Sequence, residues 1–152
     1  MSDRLPEGGF SALVPELDVT DLDASLSFWR DRIGFRVAYA RPEAGFAYLE
    51  REGAQVMLNL VNGNWETAPL ERPFGRGINL QIAVAALDPI LARLGAAGWP
   101  LFRPAHEAWY RVGDQETGLR QCLVQDQDGY LLRFAEALGR RPLSPAAPAS
   151  SP

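Results

Sequence analysis

Residues 17–26, LDVTDLDASL, and residues 82–91, IAVAALDPIL, carry Val, Leu, Asp and Leu in one shared register at an offset of roughly 65 residues. Each stretch reads as the end of a strand running into a helix. In the first, Ala12 to Val19 is strand-like, Thr20 or Asp21 can cap, and Leu22, Leu26, Trp29 and Ile33 recur at helical spacing until Gly34 stops the helix. In the second, Ile78 to Val84 is strand-like, Asp88 and Pro89 suit a cap and first helical position, and Leu87, Leu91 and Leu94 form a stripe that Gly98 ends.

Three further strand-like runs follow each helix. After the first come Phe35 to Tyr39, Phe46 to Glu50 and Gln55 to Val61, separated by Pro42 and by Glu52-Gly53. After the second come Leu101 to Arg103, Trp109 to Val112 and Leu119 to Gln125, and Asp128-Gly129 then turns into Tyr130 to Ala135. The chain therefore reads as an α+β protein of two tandem βαβββ modules, about 12–61 and 77–137, forming a curved mixed sheet with a cleft and helices on the outer face. Residues 1–137 make one domain. The loop 62–76 is long enough to suggest a functional role or mobility. The segment 138–152, rich in Pro, Ala and Ser, reads as a disordered tail.

The bulk properties narrow the function. The 152 residues are 47% hydrophobic and 22% charged, which is ordinary for one packed domain. A net charge of −4 argues against nucleic-acid binding, which needs clustered Lys and Arg against phosphates. No apolar run approaches membrane-spanning length and the start of the chain has no signal-like stretch, so a cytoplasmic protein without membrane partners is expected. Cys122 is the only cysteine, which excludes an intrachain disulfide, and it reads as a small buried hydrophobe.

Strand alternation separates two faces. Leu17, Val19, Val56, Leu58, Ile78, Leu80, Ile82, Leu132 and Phe134 fall on an apolar face; the opposite face gathers Val14, Glu16, Met57, Asn59, Asn79, Gln81, Leu131 and Arg133. Such a mixed surface reads either as a solvated sheet face or as the wall of a small-molecule cleft, and the adjoining loop favours the cleft. Candidate ligand contacts are Glu16, Met57, Asn59, Asn79, Gln81 and Arg133, with Phe46, Tyr48, Trp65, Trp109 and Tyr110 as aromatic candidates. Arg133 can pair with a ligand anion or with Glu16, and these alternatives predict opposite ligand charges.

The paired βαβββ order, the segment VTDLDASLSFWRDRIGF and the closing QDQDGYLLRF together resemble the vicinal oxygen chelate superfamily of glyoxalases, extradiol dioxygenases and bleomycin-resistance proteins. In metal enzymes of that family, one ligand comes from each of four strands, usually His or Gln, Glu, His and Glu. The matching positions here are Val14, Met57, Asn79 and Arg133, none a good ligand for a divalent metal. The resemblance thus implies a bleomycin-resistance-like member with no metal, no cofactor and no catalytic residue. It would be a homodimer sequestering a small organic ligand, a bleomycin-type glycopeptide being one candidate. Such drugs carry a cationic tail and flat heteroaromatic rings, which suit acidic groups and aromatic walls. Drug-binding members place a Trp-Gly step before the penultimate strand, where this chain has Thr117-Gly118, a loss worth about 0.5–1.5 kcal/mol of stacking.

Two rival readings remain. One is an enzyme of the same superfamily with altered or absent metal ligands, using Glu16 or the single histidine His106 as base, with Glu107 or Glu116 orienting the imidazole. The other is a non-catalytic interaction module, which a cleft filled by the chain itself would favour. Asp126 and Asp128 read as turn residues because the remaining oxygens of a calcium loop are missing. Trp29 reads as core and Trp99 as cover for the end of the second helix. Gly75 and Gly77 do not follow a strand and fit no nucleotide-binding pattern.

Overall fold

The computed structural model describes residues 3–143. The first module comprises β1 (Glu16–Val19), α1 (Leu22–Leu26) continued by π-helical turns over Ser27–Arg32, β2 (Arg36–Arg41), β3 (Phe46–Arg51) and β4 (Ala54–Leu60). The second comprises β5 (Asn79–Ala83), α2 (Asp88–Ala96), β6 (Arg103–Val112), β7 (Gln115–Gln125) and β8 (Leu131–Pro142). The sheets have the same topology, β1-β4-β3-β2 and β5-β8-β7-β6, each with one parallel and two antiparallel pairings. No helix among the described residues is long and apolar enough to cross a membrane.

The duplication extends to register. Leu17 lies beside Leu58 with Glu16 beside Met57; in the second sheet Ile82 lies beside Phe134 with Gln81 beside Arg133. Leu17, Leu58, Ile82 and Phe134 all join one core, to which both helices contribute Phe28, Trp29, Ile33, Leu87, Ile90 and Leu94. The modules thus share an interior. Asp21 starts α1, its carboxylate accepting from Ala24 N at 2.9 Å. Trp29, fully buried, meets Phe35 edge to face at 5.0 Å, and Phe28 meets Trp99 of the second module at 4.8 Å between centroids. Trp99 also donates to the Gln125 carbonyl at 2.9 Å, tying the end of α2 to β7.

The hairpin between β7 and β8 clamps the modules together. The Asp126 Oδ1 accepts from the backbone N–H groups of Asp128, Gly129 and Tyr130, each at 3.0 Å, which shapes the turn. Asp128, also buried, accepts from the Thr20 hydroxyl at 2.6 Å and from Arg72 at 3.0 Å, and the Tyr130 hydroxyl donates to the Asp18 carbonyl at 2.9 Å. Phe74 is buried against Tyr130, so the far end of the 62–76 loop is pinned to this hairpin.

Several boundaries differ from the sequence reading. The first strand begins at Glu16 rather than Ala12, because residues 3–15 leave the sheet edge and cross its face. Ile78 precedes β5 in a turn closed by its N–H to the Gly75 carbonyl and stays exposed. The helix begins with Leu87, not Asp88, in the capping position. Arg103, at the end of the first short run, and the run 109–112 belong to one strand, β6, with a register shift between Arg103 and His106, while Leu101 and Phe102 precede it. Residues 138–142, which composition placed in the tail, continue β8 against β7 as far as Pro142 beside Gln115. Residues 144–152 lie outside the described residues.

Candidate functional site

Opposite the shared core, each sheet presents a second face, and the two differ in character. On the first sheet, cross-strand pairing sets Glu16, Met57, Tyr48 and Tyr39 in one row and Asp18, Asn59, Phe46 and Arg41 in the next. Tyr39 and Tyr48 stack at 5.0 Å, and the Arg41 guanidinium sits 3.9 Å from the Phe46 ring centre. Phe46 and Tyr48 are buried with Ala38 in a small cluster against which Val14 and Met57 pack.

The cover of this face is the chain's own leader. The Gln55 amide accepts from Ser11 N at 2.8 Å and donates to the Gly9 carbonyl at 2.7 Å, and the Tyr48 hydroxyl donates to the same Gln55 oxygen. Glu50 accepts from Glu7 N at 2.9 Å and pairs with Arg36. Phe10 sets its edge against Tyr39 and Tyr48 at 6.4 and 5.5 Å. Burial raises the Tyr48 hydroxyl above its ordinary pKa, with Tyr39 adding to the effect. Asn59 is buried and donates to Asp18 and to the Leu60 carbonyl, which makes it a structural tie. At the sheet edge, Glu16 accepts from the exposed Trp65 indole at 3.2 Å.

The second sheet's face is built differently. One row runs Gln81, Arg133, Leu123, Arg103; the next runs Ala83, Ala135, Gln121, His106. The His106 Nδ1 lies 2.9 Å from the Pro104 carbonyl, which can only accept, so in neutral imidazole the proton sits on Nδ1 and Nε2 offers a lone pair. Gln121 Nε2 fills that lone pair at 3.2 Å and donates its other hydrogen to the Tyr110 hydroxyl at 2.7 Å. This chain fixes the amide's orientation and leaves Gln121 Oε1, in a residue only 3% exposed, without a partner. Arg133 has a buried Nε without an acceptor, and its side chain makes no ion pair among the described residues.

Arg133 and Glu16 therefore lie on different sheets, Glu16 being held by Trp65 instead. Tyr110 shares the Arg133 face, whereas Trp109, one position earlier on β6, faces the other way. The Trp109 ring lies close against Gly118, where an added Cβ would come within 2.6 Å of it, and Arg141 stacks on the ring at 3.8 Å. The indole thus occupies the space beside the Thr117-Gly118 step on the opposite face. Asn79 and Gln81 also border a cavity of about 290 Å³ at the seam between the modules, whose lining includes Leu13, Trp29, Val56 and Ile82.

The four positions that the sequence resemblance matches to metal ligands, Val14, Met57, Asn79 and Arg133, supply a hydrocarbon, a thioether, an amide and a cation, a set that does not suit a divalent metal. Among the described residues no group of three His, Cys, Asp or Glu side chains could hold one elsewhere. Among the described residues no carboxylate bonds to His106, whose ring nitrogens meet the Pro104 carbonyl and Gln121. Glu107 sits beside Arg120 on the other face, and Glu116 pairs with Arg141. Cys122 is buried in the core, where desolvation pushes its thiol up to about 11 and makes it a poor nucleophile.

Sequence reading missed Gln121, although the alternation of Cys122 and Val124 toward the core would have placed it on this face. Tyr39 could have been found by the register of β2 on β3. Phe10 has no such signal, because the leader follows neither the helical nor the strand period.

The family model of the Glyoxalase/Bleomycin resistance protein/Dioxygenase superfamily matches residues 13–134. Among solved structures, TioX from Micromonospora sp. ML1 is 26% identical with a TM-score of 0.65, over 85% of this chain and 100% of that one. A protein of unknown function from Agrobacterium tumefaciens str. C58 (24% identity, TM-score 0.62, 86% and 96% covered) shares the fold. So does a glyoxalase/bleomycin resistance protein/dioxygenase from Alicyclobacillus acidocaldarius (16%, 0.59, 84% and 92%). No curated protein matches the sequence.

Proposed function

The chain belongs to the Glyoxalase/Bleomycin resistance protein/Dioxygenase superfamily, and from that membership we propose a cytoplasmic binding protein that sequesters a small organic ligand, without metal or catalytic step, in the manner of the bleomycin-resistance branch. The observation that carries this reading is the second sheet's face, where Gln121 Oε1 and Arg133 Nε are buried without partners while the family's metal positions hold non-ligands. Polar groups kept in this state are costly to folding and favour a ligand that satisfies them. In this reading the working form is a homodimer, with Gln81, Tyr110 and Arg133 contacting the ligand from the second sheet and Glu16, Met57 and Trp65 from the first.

The leader over the first sheet is the observation that favours the interaction-module alternative. It covers Phe46 and Tyr48, yet among the described residues nothing comparable is bonded to the His106–Gln121–Tyr110 chain. A thermal-shift titration separates the readings. The full chain is heated with metal-free bleomycin and with neutral, acidic and basic aromatic compounds, with and without EDTA, and each hit is measured by calorimetry. Saturable stabilisation that EDTA leaves unchanged is expected for at least one compound. A response to bleomycin assigns the drug. Silence from every compound, together with stabilisation by added divalent metal, overturns the proposal in favour of a metal-dependent enzyme.

A further inference from the structure

We infer that the second sheet's face is an anion subsite: Arg133 takes a ligand carboxylate while Gln121 Oε1 accepts a hydrogen bond from an N–H or O–H elsewhere on the same molecule. The inference rests on the reading of this face as a ligand site and adds the chemical class of its occupant.

The charge argument begins with what Arg133 lacks. The residue is half-buried, its Nε is shielded from solvent with no acceptor, and no carboxylate pairs with it among the described residues. Its neighbours in the row are Gln81, Leu123 and Arg103, so the local charge is positive in a chain that is acidic overall. A cationic ligand would meet like charge here. A carboxylate matches the planar fork of guanidinium donors with two parallel hydrogen bonds, and partial exclusion of water strengthens the pair.

Gln121 supplies the second point of recognition. Both hydrogens of its amide are used, by His106 and by Tyr110, so its carbonyl oxygen can only be satisfied by an incoming donor. Register puts Leu123 beside Arg133 and Gln121 beside Ala135, which makes Arg133 and Gln121 diagonal neighbours on one face, about 7 Å apart by the usual antiparallel spacing. Ala135 lies between them, and Leu123 and Leu131 flank Arg133 with apolar side chains. A compact molecule with a carboxylate at one end, a hydroxyl or amide N–H at the other and an apolar body spans this arrangement.

The test uses three probes of one shape: 4-hydroxybenzoate, the neutral 4-hydroxybenzamide and the cationic 4-hydroxybenzylamine. Each is titrated into the ¹⁵N-labelled full chain to about 10 mM, a range that reaches millimolar affinities, while the Arg133 Nε–Hε and Gln121 side-chain signals are followed. The carboxylate is expected to move both signals saturably and to bind at least about tenfold more tightly than the amide. Arg133→Gln should remove that preference, and Arg133→Lys, which keeps the charge without the fork, should retain part of it. Equal affinity of the carboxylate and the amide overturns the anion subsite while leaving a ligand site on this face. Failure of all three probes to move either signal overturns both the subsite and the reading of the face on which it rests.

Discussion

Asp126 illustrates how one side chain can serve the fold at an electrostatic cost. Burial lifts its carboxyl from the ordinary 3.8 to about 6, against the opposing pull of the Tyr130 and Asp128 N–H groups and the Trp29 indole that donate to it. Because folding raises the pKa, the folded chain binds this proton more tightly than the unfolded one. The associated stability is complete below the unfolded value and is lost as pH rises through about 6, a change on the order of 3 kcal/mol. Urea unfolding of the wild type and Asp126→Asn, at about pH 4.5 and about pH 7, should therefore show the wild type losing stability relative to the variant as pH rises. Parallel behaviour of the two proteins would show that Asp126 does not titrate in this range. Asp128 acts differently, joining Thr20 to Arg72 across the modules. Asp128→Ala should cost about 2–3 kcal/mol in the same experiment, discounted because Arg72 is largely solvated; a loss below 0.5 kcal/mol, the ordinary surface-substitution range, would mean that the clamp carries no load.

The elements show where sequence periodicity ends as a guide. The strands that abut the shared core were legible because Leu17, Leu58, Ile82 and Phe134 alternate with polar residues, and α1 was legible because its apolar residues recur once per turn. Neither rule reaches β6, whose early residues are exposed and whose pairing slips between Arg103 and His106. Nor does either rule reach the leader, which lies on the first sheet through contacts far apart in sequence, such as Ser11 N to Gln55. The Gln55 amide makes two of the leader's bonds to the sheet. Gln55→Ala removes its bonds to Gly9 and Ser11 and the acceptor of the Tyr48 hydroxyl together. Amide hydrogen exchange should then accelerate at Ser11, by about tenfold or more for a lost bond of about 1.4 kcal/mol, while β7 and β8 keep their protection. Unchanged exchange at Ser11 would assign the attachment to Phe10 and its aromatic partners.

At the scale of the whole molecule, duplication produces two like sheets with unlike open faces. The first carries Glu16 at its edge, Asp18 bonded to Asn59, Glu50 paired with Arg36, and Arg41 over Phe46, and the second carries Arg103 and Arg133 beside uncharged amides. The fold was legible because the repeat imposes one register twice. The site was only partly legible: alternation placed Arg133 and Gln81 on a face, whereas the bonds of His106 and Tyr110 to Gln121 and the lack of a partner for Arg133 emerge only once three strands are paired. The charge difference also bears on assembly. In an isologous dimer each contact occurs twice, so bringing the Glu16 edge of one subunit to the arginine-bearing face of the other would make two like contacts and enclose two equivalent clefts. Exposed apolar residues, Leu13 and Ile78 among them, would gain cover in such a contact. Sedimentation equilibrium should accordingly give twice the 16.7 kDa chain mass, with dissociation promoted by raising salt to about 1 M, where the screening length falls to about 3 Å. A wild-type protein that sediments as a monomer at all concentrations would remove the shared cleft, and any ligand would then have to be held by the second sheet of a single chain.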